Sequence, residues 1–270
     1  MTVDPFRIRH PEGVQLQRDV TPADWIASRL MPWGRDAGTR VCSVVPTGYR
    51  RYLRVFHHAE EQVGDGWQRR RWDEVANHTG HVMHPTAQFS RFRWPHPPPE
   101  RQLDRIEASC LIDVIHGQTT TPADCWFAIW HGYGELSGAV GFLYLRRRGL
   151  RGWLARRKQQ RQRLESPPGL ADAPTVTLPS REYYLYGGGI DTVPHFEFMT
   201  GSLLTPNMWW PQDRSWCVGT EIDFDSTLVA CGDPCAESLL ASDLEVLEVA
   251  PEDRLDIAGD RINPANEEST

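Results

Sequence analysis

The chain has 270 residues, of which 40% are hydrophobic and 11 are tryptophan, which is typical of a folded globular protein and excludes a disordered one. It has 36 acidic and 29 basic residues, a net charge of −7, and no apolar run approaches the roughly 18 residues of a membrane-spanning helix. The first residues lack the basic and apolar regions of a secretory signal, so we expect a cytoplasmic protein.

The sequence of the first half predicts one helix, then two strands, then two further helices. Thr21 and Pro22 favour a helix start, and β-branched and aromatic residues flank the turn at Pro46. Apolar residues near helical spacing predict the longest helix between residues 100 and 117. The predicted elements are a helix at 20–30, strands at 39–46 and 49–58, and helices at 72–80 and 100–117.

The second half predicts mostly strands. Their sequences are rich in aromatic and β-branched residues and are separated by turn-forming residues. The predicted strands are 125–136, 139–145, 181–189, 216–224, 227–231 and 244–250, with a short helix at 235–242. Alternating strands with few helical crossovers favour an α+β fold, mainly antiparallel sheet with helices packed on it.

The domain prediction is a single α+β domain over residues 1–258. Residues 146–168 are a predicted arginine-rich insertion, and residues 259–270 a polar flexible tail. Nine basic residues lie between Arg146 and Arg163, which makes anion or nucleic-acid binding through Arg146–Arg163 one alternative function. The other interpretation of this segment is a solvated surface.

An apparent phosphatase motif occurs at residues 223–228, where the sequence DFDSTL resembles the nucleophile motif of haloacid-dehalogenase phosphatases. Only 45 residues follow Asp225, too few for the remaining motifs of that family, and the single lysine, Lys158, lies upstream. Alternating polar and apolar residues also predict a half-exposed antiparallel strand here, whereas the nucleophile strand of that family is apolar on both faces. We therefore reject a phosphatase nucleophile.

The same alternation predicts an acidic stripe. Glu221, Asp223 and Asp225 would share one strand face at intervals of about 7 Å. Three carboxylates in a row favour either exposure to water, pairing with arginines, or a divalent cation. The last case gives the main alternative function, a metal-dependent hydrolase that uses the stripe, with His84 as a further candidate.

The histidines and cysteines do not form a recognisable metal or catalytic motif. His78, His81 and His84 lie three apart, but Gly80 and Pro85 oppose the regular helix that would align them. The cysteines suit buried thiols in a reducing compartment, and the closely spaced pair Cys231-x-x-x-Cys235 lacks a second pair. We predict no catalytic residues, no metal and no cofactor.

Adjacent tryptophans at 209 and 210 precede Pro211 in a segment that reads as a loop. Two neighbouring large aromatics in a loop are difficult to bury together, so we expect one of them to be exposed in a groove or interface. The predicted binding surface consists of Trp209, Trp210, Asp213 and Arg214.

Five segments, SVVPTGYRRYLRVFHHA, HVMHPTAQFSRF, CWFAIWHGYGEL, REYYLYGG and PNMWWPQDRSWCVGTEIDFDSTLV, occur in this order. Together they resemble a family of cytosolic actinobacterial proteins, most specifically through the WWPxDRxWCVxTEID block. The resemblance spans about residues 20–250 and implies one integrated domain; it implies no activity and no catalytic residues.

The favoured function is therefore a non-enzymatic domain that binds a partner protein or a small ligand, without a membrane role. The segment from residue 213 onward is strongly acidic, with 15 acidic residues against three arginines, a net charge of −12.

Overall fold

The computed structural model describes residues 2–3, 8–33, 38–133, 173–179, 181–198 and 201–263. The predicted insertion at 146–168, with the candidate anion-binding segment Arg146–Arg163, lies outside the described residues, as does the predicted strand at 139–145.

The described strands, in chain order, are β1 (Thr2–Val3), β2 (Ile8–His10), β3 (Gln15–Leu16), β4 (Arg51–Phe56), β5 (Ala59–Val63), β6 (Gly66–Arg70), β7 (Cys125–Trp130), β8 (Val176–Leu178), β9 (Arg181–Gly188), β10 (Glu197–Phe198), β11 (Met208–Pro211), β12 (Trp216–Gly219), β13 (Ser226–Cys231) and β14 (Val246–Glu248). The described α-helices are α1 (Asp24–Ala27), α2 (Val41–Val44), α3 (Trp72–Thr79), α4 (Arg105–His116) and α5 (Asp233–Leu240). Short 3-10 turns occupy Thr21–Ala23, Phe89–Phe92 and Ile190–His195.

One antiparallel sheet organises the molecule. Its strand order is β14-β4-β13-β12-β11-β7-β9-β3, and β8 pairs with β9. The register places Trp209 opposite Phe127 on one side and Val218 on the other. A hairpin of β5 and β6 and a small sheet of β1, β2 and β10 complete the described strands. The predicted α+β class with a mainly antiparallel sheet is confirmed.

Both faces of the main sheet are covered. On one face, α4 and α5 pack against the sheet through residues such as Leu111 and Leu239. On the other face, Ile26 of α1 and Val41 of α2 belong to two further apolar clusters. The central strands β11, β12 and β13 are therefore buried along their whole length.

Most predicted elements are confirmed, but the strand predicted at 39–46 is wrong because Val41–Val44, in the middle of this segment, form helix α2. Long-range hydrogen bonds hold this turn in place: the Val41 N–H donates to the Asp253 carbonyl at 3.1 Å, and the Cys42 carbonyl accepts from Met31 N–H at 2.7 Å. The β-branched residues that suggested a strand serve to pack α2 on the sheet.

The helix closely approaches β12. A Cβ atom added to Gly219 would lie 2.8 Å from the Val44 carbonyl oxygen, so only glycine fits at this point of contact. Strand β12 ends at this glycine, and residues 220–225 form a turn in place of the predicted extension of the strand.

The expectation of a flexible tail from residue 259 is wrong for residues 259–263. Asp260 and Asn263 are buried, and the Asn263 amide donates to the Val82 carbonyl at 3.0 Å. His84 Nε2 lies 2.9 Å from Asp260 Oδ1. Residues 259–263 thus pack against the loop after α3, while 264–270 lie outside the described residues.

Candidate functional site

The two predicted surface tryptophans lie in the core. Trp209 and Trp210 are each 1% exposed and belong to β11, so the expectation of an exposed tryptophan is wrong. Successive strand residues point to opposite faces, and this sheet is covered on both. Trp209 therefore packs edge-on against Trp216 at 5.4 Å on one face, while Trp210 packs against Trp25 at 6.1 Å on the other.

Asp213 organises the turn that follows β11. Its Oδ2 accepts hydrogen bonds from the Thr120 N–H at 2.7 Å and from the hydroxyls of Thr119 and Thr120, while Oδ1 accepts from Ser215 N–H at 3.0 Å. Partial burial acts to raise the pKa of Asp213, but the Thr120 and Ser215 hydrogen bonds outweigh it and lower this pKa to about 2. Asp213 thus stays ionised and fixes the positions of the residues after it.

Arg214 occupies the tip of this turn in a left-handed conformation, with φ of 56°. Its N–H donates to the Pro211 carbonyl at 2.9 Å, and its carbonyl accepts from the Tyr49 hydroxyl at 3.0 Å. A non-glycine residue at positive φ is uncommon and is held here by these contacts. The turn aims the Arg214 side chain toward Trp25, whose ring centroid is 5.1 Å from the guanidinium carbon.

Arg214 lines a surface cleft of about 290 Å³. The cleft is assembled from four separate stretches of the chain, which end α1, precede β4, precede β12 and join β13 to α5. Its lining residues are Arg29, Gly48, Tyr49, Arg50, Arg214, Ser215, Cys231 and Gly232. Three of the eight are arginines, so the cleft is basic within a chain whose net charge is −7.

Two of these arginines share one aromatic support. The Arg29 and Arg214 guanidinium carbons lie 5.6 and 5.1 Å from the Trp25 ring centroid. Among the described residues, no carboxylate lies within salt-bridge distance of either side chain, and both residues are exposed. Two unpaired positive charges beside one ring repel each other, and an anion in the cleft would relieve that repulsion.

The opposite wall of the cleft carries less net positive charge. Arg50 pairs with Asp233 at 2.8 Å between Nε and Oδ2; the Arg50 side chain is largely exposed and that of Asp233 partly exposed. Asp233 begins α5, and Gly232 is the N-cap residue, which has no side chain to satisfy the first N–H groups of the helix. This wall therefore places a helix amino terminus and an arginine beside the cleft.

Two buried polar atoms of the described residues lack partners, one in a residue that lines the cleft and one in the tryptophan beside Arg29 and Arg214. Ser215 Oγ and Trp25 Nε1 have no hydrogen-bond partner within the part of the chain that the structure describes. Buried polar atoms are ordinarily satisfied, and an unsatisfied one costs about 1–3 kcal/mol. Burial raises the pKa of the Tyr49 hydroxyl, which therefore stays protonated and donates to the Arg214 carbonyl.

The predicted acidic stripe does not form. Glu221, Asp223 and Asp225 lie in the turn between β12 and β13 and not on one strand face, so the prediction is wrong. Glu221 is buried and accepts a two-pronged hydrogen bond from Arg181, whereas Asp223 is exposed. Asp225 Oδ1 lies 3.6 Å from Nη2 of the buried Arg54.

A small cavity adjoins Glu221. It has a volume of about 10 Å³, enough for roughly one water molecule. Arg181 is stacked between Trp33 and Trp130 at 5.1 and 4.8 Å, and burial raises the pKa of Glu221 despite this partner. The Arg181–Glu221 pair is held in place by the surrounding side chains, and the cavity is too small for a substrate.

The three closely spaced histidines, His78, His81 and His84, each have a different partner. His84 is buried against Asp260, whereas His78 packs against Trp94 at 5.5 Å and His81 against Phe92 at 5.6 Å. Across the described ranges, no group of three or more His, Cys, Asp or Glu side chains has a metal-binding arrangement.

The sequence pointed to only one residue of the cleft, Arg214. Trp210 and Asp213 do not line the cleft but help to position it. Trp210 packs against Trp25, and Asp213 fixes the turn that carries Arg214, while Trp209 faces the other side of the sheet. Arg29, Arg50 and Ser215 were missed because only the pairing of distant strands and the packing of α1 on β11 bring them together. The positive φ of Arg214 has no sequence signal, since it follows from the Asp213 turn.

The fold and the cleft together define an α+β protein with a mainly antiparallel sheet and a basic surface cleft. None of the described helices is long and apolar enough to cross a membrane. Comparison of the chain with protein-family models, curated proteins and solved structures gives no match.

Proposed function

We propose that this chain is a non-enzymatic binding protein whose cleft takes a small ligand through an anionic group such as a phosphate or a carboxylate. The observation that carries the proposal is the pair Arg29 and Arg214, two guanidinium groups at one aromatic ring without a carboxylate partner among the described residues. Arginine presents several N–H donors in a fixed fork that matches the oxygens of these groups.

The size and lining of the cleft support a small ligand. Its volume of about 290 Å³ is just below the range of about 300–1,000 Å³ that is typical of small-molecule sites, which fits a small ligand. The exposed side chains of Arg29 and Arg50 leave the cleft open to solvent.

The proposal includes a cytoplasmic location and membership of the actinobacterial family that the WWPxDRxWCVxTEID block resembles. Five of the six cysteines, all free in the structure, are buried, which suits a reducing compartment.

A thermal-shift series tests the anion preference. Phosphate, pyrophosphate, sulfate and acetate are compared with chloride at equal ionic strength, so that general screening is held constant. At ten times its Kd, a bound anion stabilises the fold by about 1.4 kcal/mol, which corresponds to a rise in Tm of about 3 °C.

The double variant Arg29→Gln/Arg214→Gln should lose this rise, whereas Arg261→Gln, an exposed arginine outside the cleft, should keep it. Equal Tm values in every salt for the native chain, or an undiminished rise in the double variant, would contradict the proposal.

A further inference from the structure

Two of the three arginines that line the cleft leave their charges unmatched. Asp233 offsets the charge of Arg50, whereas Arg29 and Arg214 have no carboxylate within salt-bridge distance among the described residues. Asp213 is next to Arg214 in the chain, but the N–H and hydroxyl groups around its turn occupy both carboxylate oxygens. The other five lining residues are uncharged at neutral pH, so the cleft presents a local charge of +2, from the two unmatched guanidinium groups.

One turn of the chain holds both of these arginines. The Thr47 N–H donates to the Arg29 carbonyl at 2.8 Å, and the Tyr49 hydroxyl donates to the Arg214 carbonyl at 3.0 Å. Gly48 lies between these two donors and has φ of 102°, in the region that favours glycine. A Cβ atom added to Gly48 would lie 3.6 Å from Arg29 Nη1, so this guanidinium lies beside the turn. Because both arginine backbones are attached to the same turn, the two side chains are placed near each other before a ligand binds.

A local charge of +2 distinguishes between the two anionic groups that suit arginine. A monocarboxylate carries a single negative charge and leaves one guanidinium unmatched, whereas a phosphate monoester carries close to two negative charges above its second pKa of about 6. The two oxygens of a carboxylate can be occupied by one guanidinium fork. The three terminal oxygens of a phosphate monoester allow both forks to bind at once. Charge and geometry therefore both favour the phosphate.

The volume of the cleft limits the rest of the ligand. About 290 Å³ is the space of roughly ten water molecules, which take about 30 Å³ each in the liquid. A ligand of roughly ten non-hydrogen atoms would therefore fill the cleft, and about five of them belong to the phosphate ester group. A nucleoside is much larger than the space that remains and would lie mostly outside the cleft.

We propose that the cleft binds the dianion of a small phosphate monoester whose organic part has roughly five non-hydrogen atoms. The inference rests on the anion-binding function proposed above and replaces a general anionic group by one class of ligand. The phosphate is bound by Arg29 and Arg214 beside Gly48, and the organic part faces the opposite wall, where Arg50 is already paired with Asp233.

Calorimetric titration of the full chain compares glycerol 3-phosphate with glycerate, a monocarboxylate that also has three carbons. We predict one site per chain and at least about tenfold tighter binding of glycerol 3-phosphate, because the additional charge-assisted hydrogen bonds form only with the phosphate. Between about pH 7.5 and pH 5 the affinity for glycerol 3-phosphate should fall by about tenfold, since the phosphate gains a proton. Binding of glycerate should change little over this range, because none of the eight lining residues is a histidine.

Variants and larger ligands test the two parts of the assignment. Arg29→Gln and Arg214→Gln each leave one unmatched charge, so the preference for glycerol 3-phosphate over glycerate should largely disappear, whereas Arg261→Gln should keep it. AMP and a phosphoserine peptide should bind no more tightly than glycerol 3-phosphate, because their additional atoms lie outside the cleft. The titrations of the native chain decide the matter even where a variant fails to fold.

The possible failures are distinguishable. Equal affinity for glycerate and glycerol 3-phosphate, with both lost in Arg29→Gln/Arg214→Gln, would overturn the phosphate assignment and leave the anion-binding function standing. Binding of pyrophosphate without binding of glycerol 3-phosphate would also overturn the monoester. Binding of AMP or the phosphoserine peptide that is tighter by about tenfold or more would overturn the small organic part. Absence of saturable binding for all of these anions would contradict the anion-binding function as well.

Discussion

Arg54 carries a charged group into the interior beside β13. It is 1% exposed, its Nη1 donates to the carbonyls of Pro85 and Ala87 at 3.1 and 2.9 Å, and its Nε donates to Ser226 Oγ at 2.8 Å. Burial lowers the pKa of Arg54 to about 10, which still leaves the guanidinium charged at neutral pH. The charge is thus compensated by carbonyl groups and by Asp225, and it ties β4 to the loop after α3.

Arg54→Ala should destabilise the protein by about 3–5 kcal/mol, because it removes one partner of a buried hydrogen-bonded network and leaves the others unsatisfied. Arg50→Ala is the matched control: this neighbour pairs with Asp233 at an exposed position, so its loss should cost at most about 1 kcal/mol. Urea unfolding of both variants measures the difference, and equal losses would contradict a structural role for the buried charge.

Trp209 tests the burial of the tryptophan pair. Trp209→Ala should reduce the free energy of unfolding by about 3–5 kcal/mol, since it opens a cavity between Trp216 and Phe127. The control is Trp67→Ala in the β5–β6 hairpin, where the side chain is 55% exposed and the change should stay within about 0.5 kcal/mol. A Trp209→Ala variant with native stability would place this side chain at the surface after all.

At the scale of elements, two helix ends differ in one backbone angle. Helix α3 ends at Gly80 with φ of 74°, and α4 ends at Gly117 with φ of −74°. A Cβ atom added to either glycine meets nothing within 4 Å, so space does not distinguish them.

Gly80→Ala should cost about 1–2 kcal/mol because alanine is strained in the left-handed region. Gly117→Ala should be neutral or stabilise by up to about 1 kcal/mol, since alanine restricts the unfolded chain at no native cost. Thermal unfolding of the two variants checks the contrast, and similar Tm values would show that the Gly80 conformation is not what ends α3.

The packing of residues 259–263 is tested by how the stability of the protein depends on pH. Burial acts to raise the pKa of Asp260, but the Asn263 side chain, the Asn263 and Gln88 N–H groups and His84 lower it from 3.8 to about 2. Because the folded pKa lies below the unfolded one, this carboxylate stabilises the fold fully above the unfolded value, and the stabilisation is lost as the pH falls toward 2.

Asp260→Asn should therefore cost about 2 kcal/mol at neutral pH, and the gap to the native chain should close between about pH 4 and pH 2. Urea unfolding of both proteins across this range measures the gap. A gap that is constant with pH would mean that Asp260 acts through shape alone and not through its charge.

Local sequence patterns predicted most elements correctly because the hydrophobic periodicity of a helix or strand depends only on residues that are close together in the sequence. Helix α2 escaped prediction because its turn is closed by hydrogen bonds from Met31 and to Asp253, which no local pattern reveals. The burial of Trp210 and the turn at Glu221 were not predicted, for a related reason. Both depend on α1 and α2 covering the second face of the sheet.

At the scale of the whole molecule, the sheet places the cleft where four distant segments meet. The pairing of β4 with β13, and of β13 with β12, brings the residues before β4 beside Ser215 and Gly232. Packing of α1 on β11 then adds Arg29 through the contact of Trp25 with Trp210. A site assembled in this way has no contiguous motif, which is why Arg214 alone was accessible to sequence reasoning.

The central claim, that Arg29 and Arg214 hold an anion, is tested most directly by calorimetric titration of the native chain with inorganic pyrophosphate. We predict saturable binding at one site per chain. Because a charge-assisted hydrogen bond contributes about 1.5–3 kcal/mol, Arg214→Gln should weaken binding by about tenfold or more, while Arg261→Gln leaves it unchanged. Absence of saturable binding to the native chain, or equal affinity in Arg214→Gln, would contradict the claim.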